Sequence, residues 1–321
     1  MKRPSTPIMH VVSVSGGKDS AATAILALET QPRESLRFVF ADTGNEHEST
    51  YEYLVYMAKH LGIEIVTIRA DFTADMERKR RYILDKWPGK GVPQADCERA
   101  AAAMVPTGNP YLDLCLMKGR FPATKSAFCT QELKTLPLMN WQMGLIDRGE
   151  CEAVWSWQGV RMDESQSRRR RLHISGHLCR QFEVMGGGIY NYRPILRWNA
   201  ADAFEAASLY GLKPNPLYTM GMTRVGCMPC INAGKDEILE ISKRFPQHID
   251  RIEEWERLVA ITSKRLESSF FPDPTRDAHL NKRGIRNIVE WSKTQRGGQL
   301  LDFIRVYEEP KACESAYGLC E

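Results

Sequence analysis

The chain has 321 residues, room for one large domain or a domain with an appendage, and 44 Lys and Arg against 40 Asp and Glu leave a net charge of +4. Its 43% hydrophobic content can build a substantial core and excludes a largely disordered chain. No stretch approaches the ~20 apolar residues of a membrane span, so no membrane partner is expected, and +4 is too mild to announce a nucleic-acid binder by itself. The first residues lack the separate apolar run and cleavage site of a secretory signal, and a cytoplasmic location is expected. Nine cysteines, an odd number in a long chain, argue for reduced thiols or metal ligands rather than a disulfide framework.

Residues 8–14 form a short β-rich run, followed by a glycine-containing turn and an Ala-rich helical stretch over 19–29. Residues 36–41 read as a second strand. Apolar residues at helical spacing over 48–61 stop at Gly62, and 64–68 read as a third strand. Short buried strands alternating with helices imply a parallel sheet covered on both faces. Residues 72–128, with a basic cluster at 78–81 and an Ala-rich piece at 100–103, read as a helical insertion over one end of the sheet. A helix is expected over 135–145 and a buried strand over 152–157, where Trp155 and Trp157 share a core-facing side. Another strand is expected over 191–196. The polar stretch between those strands, with four arginines at 168–171 and a glycine triplet at 186–188, reads as loop. Residues 201–210 read as a helix ended by Gly211, and helices are expected from 236, over 249–266 and over 285–293. The fold class is therefore α/β: a Rossmann-like domain over 1–216, then a Cys-bearing, mainly helical region over 217–321.

The strongest local signal is Ser15-Gly16-Gly17-Lys18-Asp19-Ser20, between the first strand and first helix. Two glycines allow a tight turn and close approach of backbone to phosphate oxygens. The following helix offers free N–H groups and its positive dipole end to an anion. Ser15 and Ser20 bring hydroxyl donors and Lys18 a charge. The loop does not fit the spacing of a Walker A motif.

This hexapeptide resembles the PP-loop of the ATP pyrophosphatases, which cleave ATP between its α- and β-phosphates. Ala41-Asp42-Thr43-Gly44 is similar to the corresponding segment of the phosphoadenosine phosphosulfate reductase family in that superfamily. So are Phe128-Cys129-Thr130-Gln131-Glu132-Leu133-Lys134, Gly159-Val160-Arg161 with Glu164-Ser165 and Arg168, and Arg224-Val225-Gly226-Cys227 with Cys230. The set, from Met9 to about Ile231, most resembles the branch with the DNA phosphorothioation ATPases and many phage-borne members. The resemblance implies a Rossmann-like sheet binding an adenine nucleotide at the carboxyl ends of its strands. Reductases proper have a degenerate loop and end in a Glu-Cys-Gly-Leu-His type motif. This chain keeps the full loop and lacks that ending, which favours ATP.

The resemblance places nucleotide binding at Ser15, Gly16, Gly17, Lys18, Asp19, Ser20, Asp42, Thr43 and Gly44, with Mg²⁺ assisting. Lys18, Asp19 and Cys129 are the catalytic candidates. Asp42 ends a buried strand, where a carboxylate serves either the nucleotide and Mg²⁺ or the cap of the next turn. Lys134, Arg161 and Arg168 are cationic candidates for phosphate or a second substrate. The basic runs at 78–81 and 168–171 are candidate contacts for a nucleic acid. Cys129 precedes a helix-like segment, a position that can lower a thiol pKa. It serves as catalytic thiol, cluster ligand or buried structural residue.

Cys227-Met228-Pro229-Cys230 has the spacing with which two thiolates grip one metal centre, and Cys313 and Cys320 supply a second pair. An iron–sulfur cluster of the four-iron type is expected on these four, with zinc, a redox disulfide or free thiols as the competing readings and Cys129 as alternate ligand. The expected activity is ATP-dependent adenylation of an acceptor oxygen, followed by displacement of AMP in sulfur transfer to a nucleic acid or small molecule, with a sulfur-donor protein as partner. The alternatives are a phosphoadenosine or adenosine phosphosulfate reductase and a non-catalytic nucleotide-sensing or nucleic-acid-binding subunit.

Overall fold

The computed structural model describes residues 8–164, 166–184, 187–272 and 284–294. Six strands, β1 (Met9–Val14), β2 (Leu36–Asp42), β3 (Ile65–Arg69), β4 (Ala153–Trp157), β5 (Leu178–Val184) and β6 (Gly187–Tyr192), form one sheet in the order β3-β2-β1-β4-β6-β5. Every pairing is parallel except β5 with β6. Val12 lies opposite Phe38 on one side and Trp157 on the other.

Period-two alternation decides which residues meet which layer. Val12, Val14, Leu36, Phe38 and Phe40 face α1 (Lys18–Thr30), α2 (Glu48–Leu61) and Ala207. Met9, Val11, Val39, Val154 and Ile189 face the opposite layer, where they meet Leu145. Gly62, at φ 61°, ends α2 in the left-handed conformation that glycine adopts most readily.

The insertion contains α3 (Thr73–Lys86), α4 (Gln94–Ala102) and α5 (Pro110–Lys118). One helical turn, α6 (Phe128–Thr130), leads through a π-helical turn at Gln131–Thr135 into α7 (Leu136–Asp147), the helix that carries Leu145. Further on come α8 (Gln166–Ser175), α9 (Ala200–Leu209), α10 (Lys235–Arg244), α11 (Pro246–Ile261) and α12 (Ile285–Ser292). Met76, Ile83, Trp87, Tyr111 and Leu114 of the insertion share one hydrophobic cluster with Ile238, Ile252, Trp255 and Phe270. Tyr111 stacks on Trp255 with ring centroids 5.6 Å apart.

Two expectations are corrected between β4 and α9. The strand expected over 191–196 is β6, which ends earlier, at Tyr192, and residues 194–197 form a turn. The stretch expected as loop holds α8 and the edge strand β5. The glycines misled because Gly187 serves close packing, not a turn. A Cβ there would stand 1.7 Å from the Glu152 carbonyl oxygen beside β4. The four arginines are good helix formers without an apolar stripe, so they carry no periodic signal.

β1 is central, and the chain builds β2 and β3 on one side of it and β4 to β6 on the other. Loops leaving its carboxyl end therefore diverge, and a crevice opens at that switch point. The loop after β2 is pinned to the insertion by Asn109, whose amide donates to the Gly44 carbonyl (2.7 Å) and whose oxygen accepts from Leu112 N–H (3.1 Å), capping α5. Asn109→Ala removes both bonds and is expected to cost about 1–3 kcal/mol in equilibrium denaturation, more than a cap alone.

Candidate functional site

β1 ends at Val14 and the chain turns at Gly16, whose φ of +72° suits glycine. Gly17 is the extended N-cap of α1, and no side chain caps that helix. The positive dipole end of α1 therefore faces the loop, the arrangement that favours an anion. The Ser20 hydroxyl donates to the Gly17 carbonyl (2.9 Å) and accepts from Ser15 N–H (3.1 Å). From beyond α9, Asn215 donates to the Gly16 carbonyl (3.2 Å), and the Tyr218 hydroxyl accepts from Lys18 N–H (3.1 Å). The loop is therefore shaped by the protein itself.

Asp19 points to the neighbouring segment. Its carboxylate accepts from Arg161 Nε at 2.5 Å and lies 3.5 Å from Lys18 Nζ. Arg161 is buried and also pairs with Asp163. Burial disfavours its charge, but Asp19 and Asp163 outweigh that and hold its pKa above the ordinary value. Gly159 permits this contact, since a Cβ there would stand 2.7 Å from the Asp19 carbonyl oxygen. Lys18 Nζ sits 5.4 Å from the Tyr218 ring centroid, within cation–π range.

The loop after β2 forms the second wall. Asp42 accepts from Gly44 N–H (2.9 Å), Tyr51 hydroxyl (2.8 Å) and Arg69 Nε (2.6 Å), so both its oxygens are engaged within the protein. The Thr43 hydroxyl donates to Glu46 (2.8 Å) and lies 3.5 Å from Cys227 Sγ. Gly44 takes a φ of +77°. Asn45, fully buried, donates to the Pro229 carbonyl (3.1 Å), and its own carbonyl accepts from Met228 N–H (2.8 Å). Arg251 Nη2 reaches both the Asn45 side-chain oxygen (2.9 Å) and the Met228 carbonyl (2.7 Å). The Cys227–Cys230 turn is thus clamped to the carboxyl edge of the sheet. Val225, two residues before Cys227, lies against Gly17 of the phosphate loop, 4.0 Å from where a Cβ would stand.

Cys129, Cys227 and Cys230 all lie within electrostatic reach of Lys134. Cys227 has its thiol pKa pushed up to about 12, by burial first, with Lys134 pulling it down and Glu46 and Cys230 adding to the rise. Burial and then Cys230 also raise the Cys129 thiol. This corrects the expectation of a lowered value: burial outweighs any help from the helix that starts there. The Lys134 ammonium is raised by Cys227 first, against burial, and by Glu46, Cys230 and Cys129. Lys134 therefore interacts electrostatically with these cysteines. Arg161 is held by two carboxylates, and Arg168 lies on α8, its side chain outside the described residues. Cys313 and Cys320 also lie outside the described residues.

Sequence reasoning missed Glu46, Asn45, Tyr218 and Arg251. Glu46 stands in the polar run after β2, a readable signal. Tyr218 and Arg251 come from distant segments and carry none. It also missed His47 and His248, whose rings stack 5.0 Å apart near Glu48. Donor atoms of these three lie within 4.8 Å of one another. However, His47 Nδ1 accepts from Ser49 N–H (3.0 Å), so its proton sits on Nε2 and blocks that nitrogen as a ligand.

The sequence model of the phosphoadenosine phosphosulfate reductase domain matches residues 9–102 and 145–233, more than half of the chain. The chain belongs to that family. The family match spans the phosphate loop, the β2 loop and the Cys227–Cys230 turn, and it passes over Cys129 and Lys134. A protein of Escherichia phage 186, "Uncharacterized 37.8 kDa protein in gpa 5'region", is 43% identical over 98% of this chain and 97% of its own length. "Uncharacterized protein MJ0066" of Methanocaldococcus jannaschii is 25% identical over 79% of this chain, which spans 41% of that longer protein. Among solved structures, the phosphoadenylyl-sulfate reductase of Candida auris in its phosphate complex is 15% identical, with a TM-score of 0.40 over 70% of this chain and 84% of that one.

The buried histidines give a pH signature. His248 is depressed to about 4, by burial first and then by Arg251, with Glu48 opposing and His47 adding to the depression. His47 is also depressed, chiefly by burial. A histidine with a lowered folded pKa binds fewer protons folded than unfolded, so stability falls as pH drops from about 6.5 towards 4. Urea midpoints should decline over that window, and His248→Asn should decline less steeply than the parent protein.

Proposed function

We propose that this member of the phosphoadenosine phosphosulfate reductase family is an ATP-dependent adenylating enzyme that prepares an acceptor for sulfur transfer. The observation that carries this reading is the closeness of the two segments: Val225, two residues before Cys227, packs against Gly17 of the phosphate loop, so an acceptor activated over the loop would lie close to the segment that bears the thiols. In the first step an acceptor oxygen attacks the α-phosphorus of ATP. A phosphorus–oxygen bond forms to the acceptor, the bond to the β-phosphate bridge breaks, and pyrophosphate leaves with the electron pair. The α1 N-terminus and Lys18 stabilise the charge developing on pyrophosphate. Asp19 holds Arg161 against the loop. In the second step sulfide from a sulfur-donor protein attacks the acceptor carbon, and AMP departs with its oxygen.

Asp42, with both oxygens engaged, does not suit direct ligation of Mg²⁺, which fits better as a companion of the ATP phosphates. Cys129, Cys227 and Cys230 offer the thiolate donors that an iron–sulfur cluster takes and that zinc also accepts. Such a cluster, held by these three with Cys313 or Cys320, would supply a Lewis-acid iron to bind sulfide.

Incubation with ATP, Mg²⁺ and candidate acceptors should release AMP and pyrophosphate, and Lys18→Ala should slow that release by about a hundredfold. Release of ADP and phosphate would overturn the reading. Tight binding of phosphoadenosine phosphosulfate with sulfite release would assign the chain to reduction instead.

Anaerobically prepared protein should be brown, bleach with dithionite and contain iron and sulfide, and Cys227→Ala should lose the colour. Colourless protein free of iron would remove the cluster from the proposal.

A further inference from the structure

The helical insertion carries a cationic face that the nucleotide chemistry does not use. Of the basic run at 78–81, Arg78 pairs with Asp75, and Arg80 and Arg81 pair with Glu77 along the same helix. Lys79 differs. Lys90, Lys118 and Lys264, from three other segments, lie within electrostatic reach of it. Lys79, Lys90 and Lys264 take part in no ion pair among the described residues. Lys118 shares Glu132 at 3.2 Å.

Aromatic rings lie beside these charges. Lys79 Nζ and Lys90 Nζ stand 5.4 and 5.2 Å from the centroid of Tyr82, which is 39% exposed. Lys90 also donates to the Tyr82 hydroxyl (2.7 Å). Lys264 stands 5.7 Å from the Trp87 centroid. Lys118 and Arg120 lie 5.9 and 5.1 Å from the Phe128 centroid. Beside them is a cavity of about 640 Å³ whose lining includes Arg120, Lys264 and Arg265. Partial burial, and then the Lys264, Lys118 and Lys90 charges, depress Lys79 against an opposing pull from Tyr82. Like charges are therefore held close enough to repel, a cost that an anionic partner relieves.

We propose that this face, built on Lys79, Lys90, Lys118 and Lys264 with Tyr82, docks the phosphate backbone of a nucleic acid and leads it to the thiols. A small anion satisfies one or two of these cations. A strand bearing a phosphate about every 3.4 Å satisfies several at once and can rest a base on the exposed ring. The direction of travel is set by Phe128. It carries two of the cations and adjoins Cys129, which lies within electrostatic reach of Cys230. The inference deepens the proposed function by naming the acceptor class, and rests on that function only for the chemistry after docking.

The test is fluorescence anisotropy of the full chain with labelled ~20-nucleotide single-stranded RNA, single-stranded DNA and duplex DNA, without ATP. Binding of at least one should weaken steeply from about 50 to 200 mM salt. Lys90→Gln with Lys264→Gln should weaken it on the order of tenfold and lower the salt slope by between one and two. Arg78→Gln with Arg81→Gln, which removes already paired charges, should change it less than about twofold. Unchanged thermal midpoints would show that both variants fold. Absence of salt-dependent binding, equal losses in the two variants, or binding to phosphatidylserine vesicles but to no nucleic acid would overturn the inference. Docking needs no ATP, so failure to release AMP would sink the adenylation reading and leave these curves intact. Adenylation without salt-dependent binding would sink this inference alone.

Discussion

The site depends on one buried side chain, Asn45, that ties two distant parts of the chain together. It comes just after the central sheet's second strand, yet bonds through its main chain to Met228 and through its side chain to Pro229 and Arg251. An amide satisfied in this way, away from water, fixes orientation as well as distance. Through it, the turn bearing Cys227 and Cys230 is held to the same sheet edge as the phosphate loop.

Electrostatics around the thiols are governed by burial. Desolvation raises Cys129 and Cys227, and Lys134 is the cation that opposes that rise at both. A buried thiol held largely protonated is poorly suited to free nucleophilic attack, but it becomes a thiolate when it coordinates a metal. That contrast favours ligand over free nucleophile for Cys227. Glu46, bonded to Thr43 and within 3.8 Å of Cys227 Sγ, adds negative charge to the same pocket and balances Lys134.

The insertion and the C-terminal helices bury a common cluster in which Tyr111, Trp255 and Phe270 stack. The insertion is thereby fixed beside the thiol turn rather than hanging from the sheet. Its outer side holds lysines close together over aromatic rings, an arrangement that only a rigid scaffold maintains against their repulsion.

Local pattern determined much by itself. The strand–turn–helix around Ser15 to Ser20, the helix over 48–61 and its stop at Gly62 were legible because their signals lie within a few residues: apolar period, glycine placement and helix-forming composition. The phosphate loop was legible for the same reason, since its chemistry is made by consecutive backbone groups. The Cys227–Cys230 pair stood out from its spacing as a candidate ligand turn. Only the tertiary structure decided that Gly187 starts a strand, because the reason is the carbonyl of Glu152, far earlier in the chain. It alone assigned Lys134 to the thiols, Arg161 to Asp19 and Lys79 to a cluster of other lysines. Charge pairing and burial depend on which segments pack together, and that information is spread over the whole chain.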